Sequence, residues 1–181
     1  MKSVLISIKP KWVEKIANKE KTIEVRKTRP KIKTPFKCYI YCTIGNGIKG
    51  DYLIPSNLQC GKVIGEFVCD KVYSIKNQGN SFVVANEEQG VTNEIARQSC
   101  LDYDDMVGYL GNKDGYGLHI TALKIYDNPK ELSEFRPICK FEGKDLICNL
   151  CPNHEYNGGL FFECRRKVTR PPQSYMYVEE L

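Results

Sequence analysis

Apolar positions change period several times along this chain, and each change marks an element. Ser3 to Ile8 is a short β-type run. Pro10 stands where the first turn of a helix tolerates it. Trp12, Val13, Ile16 and Ala17 then recur at helical spacing, with Lys11, Glu14, Lys15 and Lys19 on the other face. Asn18 is the expected stop. A strand is predicted over 21–26, followed by a basic loop punctuated by Pro30 and Pro35. Phe36 to Thr43 is rich in β-formers and reads as a central strand. Gly45 to Cys60 reads as a loop. Gly61 to Tyr73 reads as one long β run, with a bulge or bend at Gly65.

Further on, 74–92 is polar and has no clear period. Thr92 to Ser99 fits one or two helical turns. Asp102 caps a helix that carries Tyr103, Met106, Val107 and Leu110 on one face and stops at Gly111. Tyr116 to Tyr126 reads as a strand containing His119, broken by Asn128-Pro129. Tyr175 to Val178 is a final strand after Arg170-Pro171-Pro172-Gln173-Ser174. Strands and short helices in this order predict a small mixed β-barrel with helices at its rim.

The strand over 21–26 carries chemistry. Ile23 and Val25 share one parity and point to a core. Thr22, Glu24 and Arg26 share the other. Lys21 sits at the strand entry, where its long side chain can bend back over the charged face. Two cations and a carboxylate on one small area can grip a phosphate or nucleobase, or position a proton donor and acceptor. The same spacing also describes a solvated strand face with a surface ion pair worth under about 1 kcal/mol.

Composition sharpens this picture. The chain has 181 residues, 41% hydrophobic and 27% charged, which fits a globular protein of one domain with a small appendage. No apolar run reaches the length of a membrane span, so no membrane association is expected. Val4-Leu5-Ile6 is too short and wrongly flanked for a signal peptide, and the chain reads as cytoplasmic. The net charge of +5 is unevenly spread. Residues 1–37 hold 12 Lys plus Arg against three Glu, a balance of +9, and the remainder balances to −4. One electropositive face follows, with a polyanion as its natural partner and nucleic acid foremost.

Nine cysteines without a signal peptide favour free thiols and metal ligation over a disulfide framework. Cys38, Cys42, Cys60 and Cys69 stand in or beside strands and read as small buried hydrophobes. Residues 138–168 differ, with few core apolars among Cys139, Cys148, Cys151, His154 and Cys164. Cys148-x2-Cys151 is a common half-site for tetrahedral zinc, and Cys139 and Cys164 complete a set of four, with His154 as a substitute ligand. Four protein ligands make a closed, structural site. His119, between apolar strand neighbours, reads as a satisfied structural histidine.

The stretch Lys19-x-Lys21-x-x-Glu24-x-Arg26 resembles the G-x-K-x-x-E-x-R signature of the ASCH domain family, in its bacterial and phage-borne members. The context is similar too: the LSIxPxWxExI-like helix before it, PFKxYIYCT and GKVIGEFxCD after it, GYGLHITALKIYDxPxxLSEF, and the terminal RPPQSxxYVEE. The match covers most of 1–136 and 169–181. It implies a PUA-like fold of the α+β class: a mixed β-barrel with short flanking helices, formed by 1–137 and 169–181, and a cysteine-rich insert over 138–168 near the C-terminus. It also implies RNA binding, coactivator-type regulation or, in some branches, hydrolysis. Two departures stand out. The motif glycine is Lys19, so the turn either does not need positive φ or accepts strain. The small amidohydrolase branch that acts on acetylated cytidine carries threonine where this chain has Glu24, and a carboxylate is a poor substitute for an activated hydroxyl in amide cleavage.

The reading reached is an RNA-binding or nucleotide-binding domain that uses Lys9, Lys11, Lys21, Glu24, Arg26 and Arg29, with a structural zinc. The alternative is a hydrolase acting on RNA or modified nucleosides, with Lys21 and Glu24 as acid–base groups. A third reading is a protein-interaction module of phage or mobile-element origin that docks an acidic protein partner.

Overall fold

A computed structural model describes residues 2–44, 59–79, 81–86, 89–139, 154–156, 162–164 and 166–181. The N-terminal third follows the hydrophobic pattern closely. Strand β1 (Lys2–Ile8) leads into helix α1 (Pro10–Ala17), which has Pro10 in its first turn and Asn18 as its C-cap. Strands β2 (Ile23–Arg26) and β3 (Phe36–Cys42) follow. Later elements are β4 (Val63–Cys69), β5 (Val72–Asn77), β6 (Phe82–Val84), α2 (Gln89–Ser99), α3 (Tyr103–Leu110), β7 (Gly115–His119) and β8 (Thr121–Lys130). β9 (His154–Tyr156), β10 (Phe162–Cys164) and β11 (Tyr175–Glu179) complete the order. The Asp102 carboxylate caps α3 by accepting from the Asp105 N–H at 2.7 Å, and Gly111 ends it at φ 65°. Among the described residues, no helix is long and apolar enough to cross a membrane.

The barrel expected from strand count is not closed. The strands divide into a five-stranded sheet, ordered β11-β1-β3-β4-β8, and a four-stranded sheet, ordered β2-β7-β5-β6, with β9 and β10 paired separately. In the large sheet β1 and β3 run parallel and the other neighbours antiparallel. The two sheets are joined by chain segments that pass from one to the other. The run expected as one strand over 61–73 is two strands, with Asp70 and Lys71 at the corner between β4 and β5. The run expected over 116–126 turns the same corner at Ile120, between β7 and β8, and Ala122 takes up φ 47° just beyond. Apolar residues continue through both corners (Cys69 and Val72; Leu118 and Ile120), so periodicity hides the break. β8 also continues through Asn128-Pro129. It is an edge strand, where a residue without an N–H costs no ladder bond.

Three apolar clusters hold these layers. The first lies between one face of the large sheet, α1 and the end of β7, and includes Val4, Ile6, Ile8, Val13, Ile16, Ile40 and Leu118. The second covers the other face with Leu5, Tyr39, Tyr41, Phe135 and Val168. The third packs Ile23 and Val25 of β2 against Ile75, Val84, Ile95, Met106 and Leu110. β2 is therefore buried on both faces, which an isolated four-residue strand with two charges does not suggest.

Candidate functional site

The site is built by the turn between α1 and β2. Both the Glu20 and Lys21 amides donate to the Lys15 carbonyl, at 2.9 and 3.0 Å, and Lys19 adopts φ 62° to make that possible. The turn thus does need the left-handed region, and Lys19 occupies it under strain. The C-terminal end of α2 docks beside the turn: the Thr22 N–H donates to the Gln98 carbonyl at 3.0 Å. β2 then pairs antiparallel with β7, with Glu24 opposite Leu118 and Arg26 opposite Tyr116.

Lys21, Glu24 and Arg26 converge from this strand. The Lys21 Nζ is 3.5 Å from Glu24 Oε2 and donates to the Ser99 carbonyl, at the end of α2 where helix carbonyls favour a cation. Arg26 pairs with Glu24 Oε1 at 3.1 Å and donates to the Ser7 carbonyl of β1 at 2.6 Å. The Lys21 ammonium also lies 5.1 Å from the centre of the Trp12 ring. Lys21 is 1% exposed, Glu24 6% and Arg26 5%. Lys21 thus bends back to Glu24 from the strand entry, and the whole group is buried. Burial pushes its pKa below the ordinary lysine value, with Glu24 offsetting part of that. Two cations face one carboxylate, and the buried Arg26 Nε has no acceptor.

The surrounding residues occupy several positions. Lys9 is exposed at the N-terminal cap of α1. Lys11 is half-buried, with its Nζ 4.4 Å from the Trp12 ring centre. Trp12 itself is half-buried against the first cluster, with the Lys11 and Lys21 ammonium groups both close to its ring. Arg29 is exposed, on a loop that two tyrosines of β11 hold: the Tyr175 hydroxyl donates to the Arg29 carbonyl at 2.8 Å, and the Tyr177 hydroxyl accepts from the Lys31 N–H at 2.7 Å. The Arg170–Ser174 segment runs beside Ser7, whose hydroxyl donates to the Pro172 carbonyl at 2.7 Å and whose N–H donates to the Ser174 carbonyl at 3.0 Å. Tyr39 and Tyr41 share the face of β3 that packs in the second cluster, away from α1. His119 is half-buried, with Nδ1 2.7 Å from an Asp70 carboxylate oxygen. The anchoring carbonyls of Ser7 and Ser99 were not foreseen, because a backbone acceptor leaves no mark in sequence.

Of the five candidate metal ligands, Cys148 and Cys151 lie outside the described residues. Cys139 is half-buried, and the β9–β10 register sets Cys164 directly opposite His154. No cluster of metal-ligating side chains occurs among the described residues.

No family model matches the chain, and no curated protein matches its sequence. Solved structures do resemble it. An ASCH protein from Zymomonas mobilis superposes with a TM-score of 0.52 at 16% identity, over 98% of this chain and 88% of that one. A tyrosine-to-phenylalanine mutant of that protein gives 0.51 at 16% identity over 98% and 91%. A serine-to-alanine mutant gives 0.50 at 15% identity over 98% and 89%. At such identities the likeness is one of fold.

Proposed function

We propose, with the ASCH-type fold as the premise, that this protein binds single-stranded RNA or a nucleotide-like component of it beside Lys21, Glu24 and Arg26. The observation that carries the proposal is the charge arithmetic of the cluster: two buried cations, one carboxylate and an Arg26 Nε without an acceptor. Two cations against one carboxylate leave a net positive charge, whose field draws the phosphates of a ligand to the surface around the cluster. Lys9 and Arg29 extend the positive field outside the buried group, with Lys11 partly so. Glu24 is the acceptor for a sugar hydroxyl or base-edge donor.

The hydrolase reading has one observation in its favour: burial lowers the Lys21 pKa and so raises its fraction of neutral amine. For the insert we propose a structural zinc held by Cys139, Cys148, Cys151 and Cys164, with His154 as the substitute. The cross-strand pairing of His154 with Cys164 supports it, since two ligands of one tetrahedral site must be neighbours. A cytoplasmic location fits reduced cysteines.

The test uses fluorescent single-stranded RNA. Lys9→Ala and Arg29→Ala are expected each to weaken binding about three- to tenfold, whereas Lys113→Ala, an exposed change outside the basic block, leaves it unaltered. Equal losses from all three would remove the charged site. A gel run on the same samples separates the classes. A binder leaves the RNA intact, whereas an enzyme cleaves it and loses turnover by about two to four orders of magnitude in Glu24→Gln. Capture of an acidic protein that survives nuclease, without RNA binding, would select the protein-interaction reading.

A further inference from the structure

The end of β3 and the entry to β4 bring two thiols together. Cys42 is the last residue of β3, and Cys60 lies just before Gly61. The backbones around them are tied on both sides: the Gly61 N–H donates to the Cys42 carbonyl at 2.8 Å, and the Cys42 N–H donates to the Lys62 carbonyl at 3.0 Å. Within that frame the two sulfurs stand 3.2 Å apart and share a hydrogen. A disulfide needs about 2.05 Å, so closing the bond asks for roughly a further ångström of approach. The pair is asymmetric in access, with Cys42 fully buried and Cys60 partly open to solvent. Other thiols are differently engaged. Cys69 donates to the Lys71 carbonyl and Cys100 to the Glu20 carbonyl.

We propose that Cys42 and Cys60 form an oxidisable dithiol, a modification site at which a hydroperoxide produces a disulfide that clamps β3 to β4. Its chemistry balances with the peroxide as sole oxidant. The Cys60 sulfur attacks one peroxide oxygen, an S–O bond forms as the O–O bond breaks, and the departing oxygen takes up the Cys60 thiol proton and leaves as water from hydrogen peroxide or as an alcohol from an organic hydroperoxide. The Cys42 sulfur then attacks the sulfenic acid on Cys60. The S–S bond forms, the S–O bond breaks, and the hydroxyl leaves with the Cys42 proton as water. Two thiols lose two electrons and the peroxide gains them. Burial pushes the Cys42 thiol well above its usual range, which fits Cys60 as the sulfur that meets the oxidant and Cys42 as the resolving partner. The new bond closes the segment between the two cysteines into a loop, which removes conformational freedom from the unfolded chain.

The test treats the full chain with a small excess of hydrogen peroxide, blocks remaining thiols under denaturing conditions and maps the peptides by mass spectrometry. The expected product is a Cys42–Cys60 cross-linked peptide that forms ahead of other thiol losses and is reversed by a dithiol reductant. The oxidised protein is expected to melt about 5–10 °C higher than the reduced one. In Cys42→Ser, a sulfenic acid is expected to persist on Cys60 and be trapped by a dimedone probe; in Cys60→Ser, Cys42 is expected to stay unmodified. If the variants misfold, the wild-type map still decides. A first-formed cross-link elsewhere, or over-oxidation of Cys60 without a cross-link to Cys42, would overturn the proposal.

Discussion

Lys19 has the plainest cost of any single residue. A residue that carries a Cβ is strained at φ 62° where glycine is not, against the greater unfolded-state entropy that glycine brings. Lys19→Gly is therefore expected to stabilise the protein by about 0.5–1 kcal/mol, read from urea unfolding; a loss of stability would mean the turn is not strained. Lys21 adds a pH dependence. Its folded-state pKa lies below the ordinary 10.5, so the unfolded chain holds that proton more tightly. Its contribution to stability is flat below the depressed pKa and rises with pH from there towards 10.5. Wild type measured against Lys21→Met should gain relative stability as pH is raised through that window; a relative loss would reverse the assignment. Parity placed Glu24 and Arg26 on one face, as they are found. Their burial could not be read, because it depends on α1, α2 and β1 closing over a strand of four residues.

At the scale of elements, local signals worked where they act locally. Pro10 and Asn18 bound α1, Asp102 and Gly111 bound α3, and β-formers mark β3. They failed at the corners, where Cys69–Val72 and Leu118–Ile120 stay apolar while the chain changes sheets. A bulge or bend is expected at Gly65, and the register beside it does slip against both β3 and β8. The close approach there has a further consequence. A Cβ on Gly65 would lie 2.5 Å from the Lys124 carbonyl oxygen, a backbone atom that cannot swing aside. Gly65→Ala is expected to cost about 1–3 kcal/mol, as overpacking does. Gly108, inside α3, has open space around its Cβ position, so Gly108→Ala is expected to gain about 0.5–1 kcal/mol. Similar effects from both substitutions in chemical unfolding would refute the packing argument at the β4–β8 contact.

Across the whole molecule, the charge asymmetry is the feature that unites sequence and site. The basic block supplies β1, α1, β2 and the loop that Tyr175 and Tyr177 hold, so residues close in sequence end up around one buried cluster. The cysteine-rich stretch over 138–168 is legible only as chemistry, since cysteine spacing can suggest a metal but not a packing arrangement. Metal analysis of protein purified without chelator should find about one zinc per chain, and chelation should lower the melting temperature. The central claim, binding of a polyanion at the Lys21–Glu24–Arg26 face, is tested most directly by RNA affinity across a salt series. With four to six phosphates engaged, log affinity should fall against log salt with a slope of about −3 to −4, at roughly −0.7 per phosphate for single strands. Affinity that stays level as salt rises would contradict it.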